Sequence, residues 1–554
     1  MSHRKLLALA LTTVGALAVT TLNAPASVAD DTRSTEPAQA SSSEYYEDYT
    51  TTIIVQLTDD APALAEMKER VSASVAAAVP GANVTGVREY THVLRGFAIR
   101  APMSALKAIK ATPGVKAAFK DRYSATVYDE YGSSNSGNKD KDHDPAHSAA
   151  MDMTAAAQAT HKGSGQVIEV IDTGFDTSHA AFAGPVEGAR LAQSDVASLT
   201  AGLGDGRGGG WVSAKIPFAY DYADGDADVS YPDPGQFPDQ TSDARYTHGT
   251  HVAALAAANG SEFRGAAPDA QLVMAKVLGD DDQEINDSVL LAALDDAAIL
   301  KPDVLIVSVG DNAGQNGDAL ATYADVYAAL TAQGIAINAP AGDYTSAAWG
   351  NWNRGDQPFA TDADYGAIIL PALDSNALAV ASLDEVDKRD GQPLADPSPS
   401  RFSSWGVTPD LRLKPEIAAP GGDVMSALPA GSYGRRAGTA EASAQVAGIA
   451  ALVRQRVATD PMFSGLSAEE KNAVVTNLLM GTAHPVVDTT RGGHTFYSPR
   501  KVGAGMVDAV AATTSSVYPT VVGAATPSRP KADLGAVRTI LVYGSVCRVI
   551  CSST

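Results

Sequence analysis

Between about residues 150 and 510, short apolar runs alternate with longer helical stretches, and this alternation restricts the fold more than any other feature of the chain. Residues 167–171, 272–277, 304–309, 335–339 and 378–381 are apolar nearly throughout and too short for helices. They read as strands buried on both faces. Residues 288–300 and 320–333 lie between them and read as amphipathic helices. Strand and helix in turn predict an α/β fold, a mostly parallel sheet with helices on both faces. Ligands of such sheets sit at the carboxyl ends of strands, so the chemistry is sought there.

The segments around this region differ in kind. His3, Arg4 and Lys5 precede an apolar run at 6–22, and Ala24-Pro25-Ala26 or Ser27-Val28-Ala29 offers a cleavage point. This pattern predicts a signal peptide over 1–29 and a secreted protein with no membrane-spanning segment in the mature chain. Residues 30–50 are polar and read as a disordered leader. Residues 51–127 predict a small α+β domain in the order β-α-β-α-β, with strands at 52–57, 93–99 and 114–119 and helices at 61–79 and 103–111. Residues 128–150, rich in Ser, Gly, Asn and Asp, form a linker to a large domain over 151–518. A net charge of −23 argues against nucleic acid as a partner, because phosphate binding needs clustered Lys and Arg. Nothing in the pattern indicates an oligomeric state.

Three segments carry chemistry. Asp172-Thr173-Gly174 ends the strand at 167–171, where a carboxylate can fix a histidine tautomer, although a turn aspartate has the same look. His248-Gly249-Thr250-His251-Val252 opens an apolar helical run. His248 is placed there as a general base, Gly249 allows a substrate backbone to approach, and His251 is structural. The glutamate that a helical zinc-protease motif requires is missing, so the pair predicts no metal centre. The third segment is Gly438-Thr439-Ala440-Glu441-Ala442-Ser443-Ala444-Gln445-Val446-Ala447-Gly448.

Taken in the order Asp, His and a Gly-Thr-led helix, these segments resemble the subtilases, the subtilisin-type serine peptidases. Gly265-Ala266-Ala267-Pro268, Phe402-Ser403-Ser404-Trp405-Gly406 and the run from Leu413 through Pro420-Gly421 agree with the family. Tyr497-Ser498-Pro499 with Gly503-Ala504-Gly505 resembles its lactocepin-like cell-envelope branch. The resemblance implies a subtilisin-like fold, a polypeptide substrate and an extracellular, cell-envelope-associated location. It implies Asp172 and His248 as catalytic residues. Ser308, Val309, Gly310, Ala341 and Gly342 would bind substrate, Asp343 would stand at the oxyanion position, and 51–127 would be the inhibitory propeptide. No cofactor is implied.

The nucleophile position departs from the family. Where subtilases read Gly-Thr-Ser, this chain has Ala440, in register without a gap. A methyl group cannot attack a carbonyl, so the acyl-enzyme route is closed. In subtilisin itself, removing the serine costs about six orders of magnitude in turnover. Ser443 lies about 4.5 Å further along the helix axis, too far for a geometry that tolerates about 1 Å. Asp343 replaces the family's asparagine, and an ionised carboxylate there could only accept hydrogen bonds. Glu441 replaces an apolar residue, Ala444 and Gln445 replace a proline and a histidine, and Glu169 sits in a strand expected to be buried.

The leading expectation is therefore a secreted serine peptidase homologue, impaired or inactive in catalysis, that retains peptide binding. An active endopeptidase with an atypical nucleophile and a non-catalytic cell-surface scaffold are the alternatives. Asp221, Asp224, Asp226 and Asp228, with Asp280, Asp281, Asp282 and Glu284, form two acidic loops that read as solvated, with structural calcium as the other reading. Residues 519–554 hold both cysteines, Cys547 and Cys551, and read as a truncated or frame-shifted tail without a folded partner.

Overall fold

The structure, a computed structural model, describes residues 49–124, 149–204, 207–230, 244–282, 285–310, 317–344, 368–384, 388–389, 392–393, 396–408, 412–489, 495–521 and 547–551. The signal-like segment, almost all of the leader and most of the linker lie outside the described residues.

The small domain is a four-stranded antiparallel sheet in the order β2-β3-β1-β4, built from β1 (Thr50–Leu57), β2 (Thr85–Tyr90), β3 (Gly96–Pro102) and β4 (Val115–Lys120). Period-two alternation divides β1 between two cores. Ile53, Val55 and Leu57 face helices α1 (Leu64–Ala78) and α2 (Leu106–Lys110). Ile54 joins Tyr90, Leu94, Ala98 and Phe119 in the core of the large domain. The strand expected at 93–99 starts only at Gly96, because the backbone before it is committed elsewhere, as shown below. The edge strand β2 buries only Tyr90, so it carries no apolar alternation that would announce it.

The large domain holds a seven-stranded parallel sheet of β5 (Val167–Asp172), β6 (Phe218–Asp221), β7 (Gln271–Lys276), β8 (Val304–Val307), β9 (Ala336–Pro340), β10 (Ala377–Asp384) and β11 (Ile417–Gly422). Their order across the sheet is β11-β10-β9-β8-β5-β7-β6, and each neighbouring pair is parallel. Ile168 and Val170 of β5 pack under α3 (Ala244–Ala257) and α6 (Thr439–Thr459). Val167 and Ile171 pack under α4 (Asp287–Leu300) and α5 (Gly317–Ala332), which in turn carry the small domain. The α/β architecture with helices on both faces is the one the alternating runs predict. Strand β5, beside the central strand, ends in Asp172, and β8 and β9 lead directly to Ser308 and Ala341.

The tail departs from expectation. Cys547–Cys551 pairs antiparallel with Val517–Val521, so part of the stretch read as unpartnered has a partner strand. Among the described residues, no helix is long and apolar enough to cross a membrane.

Candidate functional site

Asp172 and His248 meet at the carboxyl end of the sheet. His248 Nδ1 lies 2.9 and 3.1 Å from the two carboxylate oxygens of Asp172, and both residues are buried. This contact fixes the tautomer with its proton on Nδ1, which leaves Nε2 as the basic atom. Burial pushes the imidazole down, but the Asp172 charge and hydrogen bond outweigh it and hold His248 above its usual value.

Two details differ from the sequence reading. His248 stands in the second turn of α3, which begins at Ala244, and not at a helix start. Gly249 makes room for the chain itself and not for substrate: a Cβ there would lie 2.4 Å from Gly174 O and 3.1 Å from Asp172 Cβ. The glycine lets the catalytic strand and helix close on each other.

Ala440 is fully buried in the first turn of α6, behind Gly438 and Thr439. Asp343 Oδ1 accepts from the Thr439 amide at 2.9 Å and caps this helix, while the Gly342 amide donates to Thr439 Oγ1 at 3.0 Å. Asp343 Oδ2 is sealed from solvent and has no hydrogen-bond partner. Burial, reinforced by the nearby Glu441 charge, pushes the Asp343 carboxyl up to about 8, against the hydrogen bond from the Thr439 amide. Asp343 is therefore protonated at neutral pH and can donate, which removes the repulsion expected from an ionised side chain at this position.

Glu441 turns away from solvent toward His251, whose Nδ1 lies 3.3 Å from Oε1. Nε2 of His251 faces two carbonyl oxygens, Val424 O at 3.2 Å and Gly434 O at 3.3 Å, so it must carry a proton. Burial outweighs the Glu441 hydrogen bond and charge and holds the His251 ring below its usual value. Burial also pushes Glu441 up, yet the His251 hydrogen bond and the charges of His248, His251 and Arg436 together hold it at about 2. The sequence assigned His251 a structural role and marked Glu441 as odd; their pairing depends on helices α3 and α6 meeting, which spacing does not reveal.

The expected substrate-binding residues line the same end of the sheet. Ser308, Val309, Gly310, Ala341 and Gly342 are buried. Ala341 O accepts from the Ile369 amide at 3.0 Å, and Gly342 O accepts from the Ser404 amide at 2.7 Å. Cβ atoms built on Gly310 and Gly342 would both strike the side chain of Ile369, at 2.7 and 2.5 Å. Ile369, which sequence reading did not single out, thus fills the space between the two strand ends.

The acidic loops converge, but not on an open cation site. Asp221, Asp224 and Asp280 gather around the buried ammonium of Lys276, which lies 2.6 Å from Asp221 and 3.5 Å from Asp224. The ammonium occupies the place between carboxylates that a calcium ion would take. Glu169 is buried on the sheet with neither carboxyl oxygen partnered, and burial together with the Asp296 charge raises it well above the usual range.

A family model described as "Subtilase family" matches residues 163–505. The PII-type proteinase of Lacticaseibacillus paracasei is 24% identical over 595 positions, covering 79% of this chain and 30% of that protein. C5a peptidase of Streptococcus pyogenes is 36% identical over 121 positions, which are 22% of this chain and 10% of its own. The chain thus spans less than a third of the length of these relatives. Among solved structures, fervidolysin from Fervidobacterium pennivorans, a keratinolytic enzyme related to subtilisin, gives a TM-score of 0.54 at 16% identity, covering 85% of this chain and 63% of its own. A serine-to-alanine mutant of the epidermin leader peptide processing serine protease from Staphylococcus aureus gives 0.55 at 17% identity, covering 84% of this chain and 99% of its own. At such identities the likeness concerns the fold alone.

Proposed function

This chain belongs to the subtilase family, and from that premise we propose that it is a secreted homologue whose serine acyl-transfer route is closed and whose cleft still binds polypeptide. One observation carries the reading. The Asp172–His248 pair stands at 2.9 Å, while the nucleophile position, in the first turn of α6, carries only the methyl group of Ala440. A base without a nucleophile cannot form an acyl-enzyme. The cationic start and apolar run at 3–22 support export.

The small domain has the role of a propeptide that is never released by the chain's own cleavage. Its docking supports this. Asp295 of α4 accepts from the amides of Thr91, Val93 and Leu94 at 2.8–2.9 Å and from His92 at 3.1 Å. Gln56 and Lys116 both reach Asp325 of α5. The backbone that the sequence suggested as the start of β3 is therefore the anchor of the interface.

The test is restoration. Ala440→Ser combined with Asp343→Asn is expected to hydrolyse casein and to release a 51–127 fragment, with His248→Ala abolishing both. Release of that fragment by the purified parent chain overturns the reading. A double variant that folds and binds casein peptides yet cleaves nothing also overturns it, in favour of a scaffold.

A further inference from the structure

The strongest unassigned feature is a pair of carboxyl oxygens beside Ala440. Gly438 has no side chain, and a Cβ built there would lie 2.6 Å from Glu441 Oε2 and 3.3 Å from Asp343 Oδ2. These two oxygens therefore converge over one glycine, two residues before the position where the family keeps its nucleophile. Neither has a hydrogen-bond partner, and Glu441 is 1% exposed. Each carboxyl is held by its other oxygen, Asp343 Oδ1 by the Thr439 amide and Glu441 Oε1 by His251.

The geometry points to Asp343 and Glu441 as a general acid and a general base that hydrolyse a peptide bond with water as the nucleophile, without an acyl-enzyme. The inference rests on the reading that the cleft binds polypeptide. Glu441 Oε2 takes a proton from water as the water oxygen bonds to the carbonyl carbon. Asp343 Oδ2 gives its proton to the carbonyl oxygen, producing a neutral diol. Glu441 then passes its proton to the amide nitrogen, the C–N bond breaks, and a diol hydroxyl returns a proton to Asp343. The products are a carboxylic acid and an amine, and both side chains end as they began.

The environments suit these roles. Burial keeps the Asp343 proton in place to about pH 8, whereas His251, His248 and Arg436 keep Glu441 ionised. Two carboxyls pushed apart in this way are the usual mark of an acid and base working together. His248 is the other titratable group facing the pair, and it is already joined to Asp172. The route needs no hydroxyl at position 440, and it gives Glu441, an acid where the family has an apolar residue, a reason to be there.

The experiment uses the full chain with dye-labelled casein between pH 4 and 9, with hydroxylamine present as a trap for any acyl-enzyme. The expected result is slow cleavage that yields no hydroxamate and declines as pH rises through about 8. Glu441→Met, an apolar side chain of similar length, should lower the rate about 100-fold. Asp343→Asn should lower the rate comparably, because an amide can hydrogen-bond the carbonyl oxygen but has no proton to give it. Thermal melting and calorimetric binding of casein peptides serve as controls for folding. Should Glu441→Met misfold, the rates of Glu441→Gln and Asp343→Asn decide the matter, and either variant cleaving at the parent rate overturns the inference. Hydroxamate formation, cleavage by Glu441→Met at the parent rate, or binding without any cleavage overturns the inference. The last outcome leaves the peptide-binding reading standing, whereas absence of binding removes both.

Discussion

The buried acids of α4 and those of the cleft were built to opposite rules. On α4, Asp287 meets Arg122 at 2.8 Å and Tyr323 Oη at 2.7 Å, and Asp296 takes two guanidinium nitrogens of Arg207 at 2.8 and 2.9 Å. Asp295 is filled by four backbone amides of the small domain. In the cleft, Asp343 Oδ2 and Glu441 Oε2 have no partner at all. Buried polar atoms are normally satisfied, so an unsatisfied pair calls for an explanation. Asp287 and Asp295 hold the two domains together, and Asp296 ties α4 to Arg207 of its own domain. The cleft acids retain unused hydrogen-bonding capacity, the property a reactive site needs and a structural one avoids.

The comparison breaks first at Asp295. Asp295→Ala would leave four buried or half-buried amides at the interface unpaired, at about 1–3 kcal/mol for each buried group and less in sum because they share one partner. Docking of the small domain should weaken by about 4 kcal/mol. Limited proteolysis of residues 49–124 and a separate early calorimetric transition would report it. An unchanged melt would mean that the apolar contacts of Ile54, Tyr90 and Phe119 suffice for docking.

A smaller effect, about 3 kcal/mol, is expected from Lys276→Met, which leaves the buried Asp221 without its counter-charge. Millimolar calcium should recover part of the lost melting temperature in that variant and do little for the parent, because in the parent the ammonium fills the cluster. Equal stabilisation of both proteins would show that the acidic loops bind calcium with Lys276 in place.

How far the sequence reached follows from the same contrast. Strand runs such as 167–171 and 304–309, the second ending two residues earlier in the fold, were legible because burial on both faces leaves an unbroken apolar signature. Asp172 and His248 were legible as motif members. Edge strand β2 was hidden, since only one of its six residues is buried. The roles of Asp295, Glu441 and Ile369 were hidden for a different reason. Each is set by a partner remote in sequence: the loop at 91–94, His251 on another helix, and the glycines at 310 and 342. The pattern of a single segment reports which face is buried, and it does not report what is buried against it.

The finest test of the contrast is a pH slope. The Asp343 carboxyl titrates near 8 in the folded chain and near the ordinary aspartate value when unfolded. Between about pH 4 and 8 the folded state therefore holds a proton that the unfolded state has lost, and stability must fall as pH rises through that window. Glu441 works in the other direction. Held at about 2 in the fold, it contributes stability that is present above about pH 4.5 and is lost as pH falls toward 2. The two limbs do not overlap, so each can be assigned to its own variant. Relative to Asp343→Asn, the parent chain should lose about 1 kcal/mol of unfolding free energy between pH 6 and pH 7, measured by urea titration. Glu441→Met should flatten only the acid limb. Parallel curves for the parent and Asp343→Asn would mean that Oδ2 is ionised at neutral pH and that the two cleft carboxyls do not hold opposite charge states.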